Sequence, residues 1–536
     1  MKTIYKNAVI YTAADVQSQV EAMIVEDGQI IWVGQEADIP PVDGKVINLE
    51  GKTVIPGLIE AHIHPIMLAQ LLEQVVCLPP VIHSIEELIE VMKQYDPSAK
   101  GCYEGWGYDE GKLAEKRSII RSDLDRVSTE LPVVVMRTCA HIISVNSKAL
   151  EIAGITKDTP NPPGGEIDRD ETGEPTGILR ENARNLVLKH IKPDTEQEII
   201  EKLVKLSNTL SSYGITTITE MMATEEPFDY FTIYQHAQQK GVKQRVANYY
   251  HFESIQRKNP LNLVSTNTAN DTYIAGIKLF ADGSISGKTA LVHEPFLKSN
   301  QTGIDMTSPE EILAAARKAE EHGVQLAIHA MGDKAIEQIV NTCSQLTPWL
   351  TDGPSVRIEH ATMISDEVLK KAVDWGIGLV PQPIFLFCEI ESYLSNLGLK
   401  KSQTLYGLRS FLDAGAATAI TSDAPATSWA EAVNPFISMQ VAVTRKAYDG
   451  TDLGQSERIT TAEALQLYTK HAQTLTRTDC IGQLREGYAA DFVILEEDLM
   501  NIPADQLMHI KPLATYIKGE KVFERIQAAT GVGNEI

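Results

Sequence analysis

The stretch VIPGLIEAHIHP, residues 54–65, decides how this chain is read. Its first half is apolar, and it ends in two histidines one residue apart, His62 and His64. On a strand, side chains two apart share a face. Both imidazoles therefore project together, with Glu60 on the same face. Two imidazoles on one face can donate lone pairs to one divalent cation. They can also be there for packing or by chance, and HxH alone does not choose.

Working outward, the same kind of ending recurs. Candidate strands are VVVMR (133–137), GITTITEM (214–221), YIAGIKLFAD (273–282), VQLAIHA (324–330), VRIEHA (356–361), GIGLVPQ (376–382) and ATAITSD (417–423). With the opening stretch they make eight. Helical segments such as PEEILAAARKAEEHG and SDEVLKKAVDWG separate most of them. Alternating strands and helices predict a parallel sheet, and eight such units predict a closed (β/α)8 TIM barrel. The other arrangement, an open doubly wound sheet, lacks support from any glycine-rich phosphate loop.

In a parallel barrel the C-terminal strand ends meet around one mouth. His329 ends the fifth candidate strand, His360 the sixth and Asp423 the eighth. Lys278 lies in the fourth, between Ile277 and Leu279. Taken singly, each has a structural reading. A lone histidine is often a hydrogen-bonded core residue, Asp423 can cap a turn, and Lys278 can pair with Asp282. Taken together, they require one arrangement at five strand ends by accident. A protonated lysine repels a cation and is costly to bury. A neutral one can take up carbon dioxide as a carbamate, an anionic ligand able to bridge two metals.

The first ~55 residues are short alternating runs broken by turns such as Asp27-Gly28 and Glu50-Gly51, a β texture. ADFVILEED and ATYIKGEKVFE repeat it near the other end. Residues 1–56 and 476–536 are therefore expected to form a small β-sandwich from both termini. The barrel is expected from 57–75 and 205–475. Too many residues for a barrel loop lie between its first strand and GITTITEM. Residues 76–204 read as an inserted α+β subdomain containing or flanking barrel strand two, with a hairpin in GGEIDRDETGEPTGILREN (164–182) turning near Thr172-Gly173.

The hydrophobic fraction of 43% and charged fraction of 22% are those of a globular protein. A net charge of −24 argues against nucleic acid and anionic membranes as partners. No apolar run approaches the ~20 residues that span a bilayer. Six scattered cysteines without a CxxC pair favour reduced thiols, and the N-terminus lacks a signal peptide's apolar core. A cytoplasmic location is expected.

With these residues in view, the chain resembles the amidohydrolase superfamily. More narrowly it resembles the amidohydrolase-3 (YtcJ-like) group, which includes N-substituted formamide deformylases. The resemblance covers nearly the whole chain: IPGLIEAHIHP, GWGYDE (105–110), HIISVNSKAL (141–150), GGEIDRDETGEPTGILRE, IKLFADGSISGKTA (277–290), AIHAMGDKA, RIEHA, TSDAP and IGQLREGYAADFVIL (481–495). It implies a metal-dependent hydrolase with one or two divalent ions, zinc foremost. His62, His64 and Asp423 would hold the first ion. His329 and His360 would hold the second, with carboxylated Lys278 bridging.

Metal-activated hydroxide would attack a carbonyl, and Asp423 would pass the water proton to the departing amine. His141 resembles the group's pocket histidine, although Ala140 precedes it where glycine is usual; it either touches the substrate carbonyl or packs. Trp106, Tyr108 and Arg180 are expected either in the pocket wall or as ordinary core and surface residues. Glu220, read as ending strand three, would be a further carboxylate at the site or a partner orienting a ligand. Asp333 would orient a loop or cap a helix.

The implied reaction is hydrolysis of an amide-type C–N bond in a small N-acyl or N-formyl amine. Deamination of a cyclic amidine and ester or lactone hydrolysis are the rivals on the same site. A non-catalytic scaffold is the rival of another class, disfavoured because the ligands are intact. A homodimer is expected from the resemblance alone.

Overall fold

Seven parallel strands run side by side in the computed structural model, which describes residues 1–15, 18–97, 100–138 and 141–526. They are β1 (Leu58–Ile63), β2 (Ile215–Ala223), β3 (Arg245–His251), β4 (Thr272–Phe280), β5 (Gln325–Ala330), β6 (Val356–His360) and β7 (Gly378–Val380), paired in that order. Residues 417–423 take the eighth place. Leu379 N donates to Ala417 O at 2.8 Å on one side, and Asp423 N donates to His62 O at 3.0 Å on the other. The sheet is therefore a nearly closed barrel. Every residue of β1 is buried, as expected for a parallel strand covered on both faces.

Helices pack around the barrel and carry the start and stop signals their sequences announce. Pro309–His322 is one case. Ser308 accepts from Glu311 N, Glu311 reaches back to the Ser308 amide, and Gly323 ends the helix at φ 62°.

Two departures from the sequence reading concern which runs are barrel strands. Val133–Arg137 is a strand, but not the second of the barrel. It pairs with Tyr103–Tyr108 and Ile142–Val145 in a separate six-stranded sheet, completed by Val75–Val76, Pro175–Glu181 and Gly165–Arg169. Its β-branched run marks a buried strand, but periodicity does not name a partner. The missing barrel strand is β3, whose sequence RVANYYH opens on a charge and carries an asparagine. Arg245 is nonetheless buried because it pairs with Asp491, and Asn248 Nδ2 donates to Tyr273 O at 3.1 Å. β2, and Glu220 on it, is thus the second strand rather than the third.

The run at 417–423 is also less regular than expected. It makes one ladder bridge, Leu379 to Thr418. Side chains replace part of the ladder: His62 N donates to Thr421 Oγ1 at 3.0 Å, and Ser422 N to Glu60 Oε2 at 3.1 Å.

Strands from near both ends of the chain share a further sheet, in which Thr53–Pro56 runs antiparallel to Phe492–Leu495. A four-stranded sheet of Thr3–Lys6, Ala22–Glu26, Gln29–Gly34 and Lys45–Asn48 supplies Tyr5, Met23 and Ile30 to the same apolar cluster. There Phe492 stacks on Tyr516 with centroids 4.3 Å apart. Gly57 joins this region to β1. A Cβ on it would stand 2.3 Å from Thr216 Oγ1, so the passage requires glycine.

Candidate metal and active site

β1 ends at the barrel mouth, and the turn after residue 422 crosses it there. This brings three side chains into one group. His64 Nε2 lies 2.9 Å, and His62 Nε2 3.3 Å, from Asp423 Oδ1. One donor atom from each of the three falls within 4.8 Å of the others. Asp423 holds φ 56°, His360 φ 68° and Ala361 φ 42°. Left-handed backbone at non-glycine residues costs about 1–3 kcal/mol each and tends to collect at functional sites.

β4, β5 and β6 carry the other predicted residues to the same mouth. The His329 and His360 ring centroids are 4.3 Å apart, and His360 is 5.2 Å from His62. Lys278 is buried, with Nζ 5.0 Å from the Phe280 ring centroid and no hydrogen-bond partner among the described residues. Burial pushes its ammonium down to about 8, against the upward pull of Glu359 and Asp423. The proposed pairing with Asp282 does not form. That carboxylate instead accepts from Leu291 N, Met331 N and Gly332 N at 2.8–3.0 Å.

The histidines are prepared as ligands rather than as charges. His62 Nδ1 donates to Glu359 Oε2 at 2.5 Å, leaving Nε2 as the lone-pair atom beside Asp423. His329 Nε2 is 2.9 Å from Gly283 O. Burial lowers His329 to about 4 and holds His360 well below the usual imidazole value, so both are neutral. Burial alone would raise Asp423. The His62 and His64 rings outweigh it and keep the carboxyl ionised, well below its ordinary range. Lys278 Nζ, His64 Nδ1, His360 Nδ1 and Asp423 Oδ1 are all buried without hydrogen-bond partners among the described residues. Unsatisfied buried donors and acceptors are costly, and here they converge. Neutral imidazoles, a carboxylate and a buried amine form a donor set that fits divalent metal.

Above this floor opens a cavity of about 850 Å³, lined among others by His329, His360, Asp423, His141 and Arg180. His141 is largely exposed, its Nδ1 2.9 Å from Glu181 Oε2. Arg180 is held by Asp168 through two 2.7 Å bonds. Trp106 and Tyr108 are placed elsewhere. Tyr108 is fully buried with its hydroxyl 3.1 Å from Ser144 Oγ, and Trp106 packs on Leu71 and Leu78. Glu220 lies behind His64 rather than in the cavity wall. Its Oε1 is 4.0 Å from His64 Nδ1, and its Oε2 accepts from Tyr234 Oη at 2.8 Å. Asp333 Oδ1 accepts from His293 N at 3.0 Å, which ties down a loop. Ala140 lies outside the described residues, as does Cys139.

Sequence reasoning did not single out Glu359, Arg357 or His251. Arg357 and Glu359 are fully buried two residues apart on β6, joined by bonds of 2.5 and 2.8 Å. The alternation in VRIEHA shows that they share a face, but not that the face meets His62. His251 ends β3 opposite Lys278, with its ring 5.1 Å from Phe280. It was missed because its strand was.

A barrel that gathers HxH, two further histidines and an aspartate at its mouth is the architecture of a metal-dependent hydrolase. The chain belongs to the Amidohydrolase family, which it matches over residues 45–523. It is 30% identical to YtcJ of Bacillus subtilis (strain 168), over 98% of this chain and all of that protein. It is 28% identical to the N-substituted formamide deformylase of Arthrobacter pascens, over 97% of this chain and 98% of that one. The crystal structure of an uncharacterized metal-dependent hydrolase from Pyrococcus furiosus superposes with a TM-score of 0.73 at 25% identity, covering 94% of this chain and 100% of that one. The chain is thus a metal-dependent amidohydrolase, a hydrolase acting on carbon–nitrogen bonds. No helix among the described residues is long and apolar enough to cross a membrane.

Proposed function

We propose that this hydrolase cleaves the amide-type C–N bond of a small N-acyl or N-formyl amine. The observation that carries the reading is the His62–His64–Asp423 group, within 4.8 Å of one another, whose Asp423 lines a cavity large enough for a small molecule. His62, His64 and Asp423 would hold one ion and His329 and His360 a second, with Lys278, as its carbamate, between them. Zinc suits such nitrogen and carboxylate donors. A divalent cation held there supplies Lewis acidity, polarising a carbonyl and acidifying water.

The chain's residues do the rest. Glu359 fixes the tautomer of His62, and Glu220 backs His64. Asp423, ionised in the resting site, accepts a proton from the attacking water at its carboxylate. It delivers that proton to nitrogen as the C–N bond breaks, because an amine leaves poorly unless protonated. The products are a carboxylic acid, formic acid in the formyl case, and a free amine. The likeness to a formamide deformylase supports formyl and short acyl groups. Buried free cysteines suit a reducing, cytoplasmic setting.

The test is a panel of N-formyl and N-acetyl amines, matched esters and cyclic amidines, assayed with zinc- and manganese-loaded protein for amine, alcohol or ammonia release. Amide turnover well above the ester and amidine rates is expected. Turnover confined to esters or amidines would replace this reading.

A further inference from the structure

The far wall of the cavity carries more negative charge than it neutralises. Asp109, Glu166, Glu181 and Glu389 line it, against Arg137 and Arg180. Both guanidiniums are already engaged: Arg180 by Asp168, and Arg137 by Glu110 at 2.8 and 3.1 Å. His141 is turned to Glu181.

Glu389 stands apart from the other three. Asp109 is beside Arg137, and Glu166 and Glu181 are at the exposed rim. Glu389 is partly exposed at the end of the helix Ile384–Cys388, four residues beyond Phe385, whose ring stacks on His360 at 5.8 Å. Glu389 N donates to Phe385 O at 2.9 Å, closing the last turn of that helix. Ser428, five residues past Asp423, donates its hydroxyl to Glu389 Oε1 at 3.0 Å and fixes the carboxyl. Lys112, the cation that acts on Glu389 through space, is engaged by Glu391 at 3.4 Å and by the Tyr448 ring. Burial, with Asp109 adding to it, pushes Glu389 up to about 7. A cavity-lining carboxyl with no ion pair among the described residues is one that an incoming cation stabilises.

We propose that Glu389 determines specificity by receiving a positively charged group at the far end of the substrate, so that the preferred substrates are N-formyl or N-acyl amines bearing a second, protonated amine. Glu389 lies past Phe385, the ring that covers His360, so the second amine would sit at the end of a short alkyl linker from the reacting amide. The inference rests on the proposed amide hydrolysis, and it adds the recognition of the half of the substrate that does not react.

The experiment compares N-formylputrescine with its neutral analogue N-formylpentylamine, in the metal-loaded protein and in Glu389→Gln and Glu389→Asp. Steady-state kinetics gives the ratio of kcat/KM values. Calorimetric binding of both compounds to metal-loaded Asp423→Asn, with and without Glu389→Gln, gives the affinity ratio without turnover. The expected ratio favours the diamine by about tenfold or more. It falls toward unity in Glu389→Gln and survives in part in Glu389→Asp. Hydrolysis of both compounds at equal efficiency would overturn the inference and leave amide hydrolysis standing. Binding with the Glu389-dependent preference but no turnover of either would overturn amide hydrolysis and leave the cation site. Neither turnover nor preference would overturn both. A preference unchanged in Glu389→Gln would assign recognition to another residue and overturn the inference.

Discussion

Glu359→Gln separates what holds the barrel interior together from what prepares its metal ligands. Glu359 is fully buried and does two things at once. It accepts the His62 Nδ1 proton at 2.5 Å, and it neutralises Arg357 through bonds of 2.5 and 2.8 Å. The Arg357 charge, with the hydrogen bonds from His62 and Arg357, outweighs the cost of burial and holds Glu359 well below the carboxylate range. Glutamine keeps an oxygen for His62 but leaves the Arg357 charge unpaired in the interior. Breaking a buried pair from one side costs about 3–5 kcal/mol. At about 2 °C per kcal/mol for a large domain, the metal-free melting midpoint should fall by about 6–10 °C.

The same change weakens the acceptor that orients His62. Losing such a partner lowers metal affinity about 10–100-fold, which is about 1.4–2.7 kcal/mol. Competition against a chromophoric chelator measures the affinity, and a calorimetric scan the midpoint. Adding Arg357→Met should recover part of the midpoint, because no uncompensated charge remains. Recovery will be incomplete, since Arg357 also donates to Ala61 O at 2.6 Å and Leu475 O at 3.0 Å. It should not recover metal affinity. Strictly additive midpoint losses, or an unchanged metal affinity in Glu359→Gln, would refute the reasoning.

Three more substitutions test separate parts of the account. Asp423→Asn should cut kcat by at least about 100-fold while part of the metal stays bound; near-normal turnover would remove Asp423 as the proton carrier. Lys278→Ala should lower metal content by elemental analysis, with partial rescue by millimolar acetate or propionate, and full occupancy without rescue would count against a bridging carbamate. Gly57→Ala should destabilise the protein by about 1–3 kcal/mol through overpacking, because its Cβ would stand 2.3 Å from Thr216 Oγ1; an unchanged melting curve would show that the passage into β1 has slack.

The readable parts of the sequence are those where one strand carries both the pattern and the chemistry. VIPGLIEAHIHP is apolar, β-branched and ends in HxH, so its place and its ligands are read together. The same holds for AIHA, RIEHA and TSDAP. Where a strand's burial depends on a distant partner, reading stops. RVANYYH is buried because Asp491, 246 residues away, neutralises Arg245, and no local pattern announces that. VVVMR shows the converse, since its own composition is that of a barrel strand while its partners belong to another sheet. Trp106 and Tyr108 have the look of pocket aromatics, yet Gly105 and Gly107 beside them serve close packing against Cys77 and Leu78. Glu359 and Glu389 act across the fold, on His62 and toward the cavity, so tertiary contacts alone reveal them.

The central claim is that the first strand delivers two metal ligands to the barrel mouth. Elemental mass spectrometry of protein purified without chelator, beside a His62→Ala/His64→Ala double variant, tests it directly. The account predicts one or two zinc-like ions per chain, sharply reduced in the variant while the fold is retained by circular dichroism. Equal metal content in both proteins, or none in either after reconstitution with zinc or manganese and bicarbonate, would contradict it.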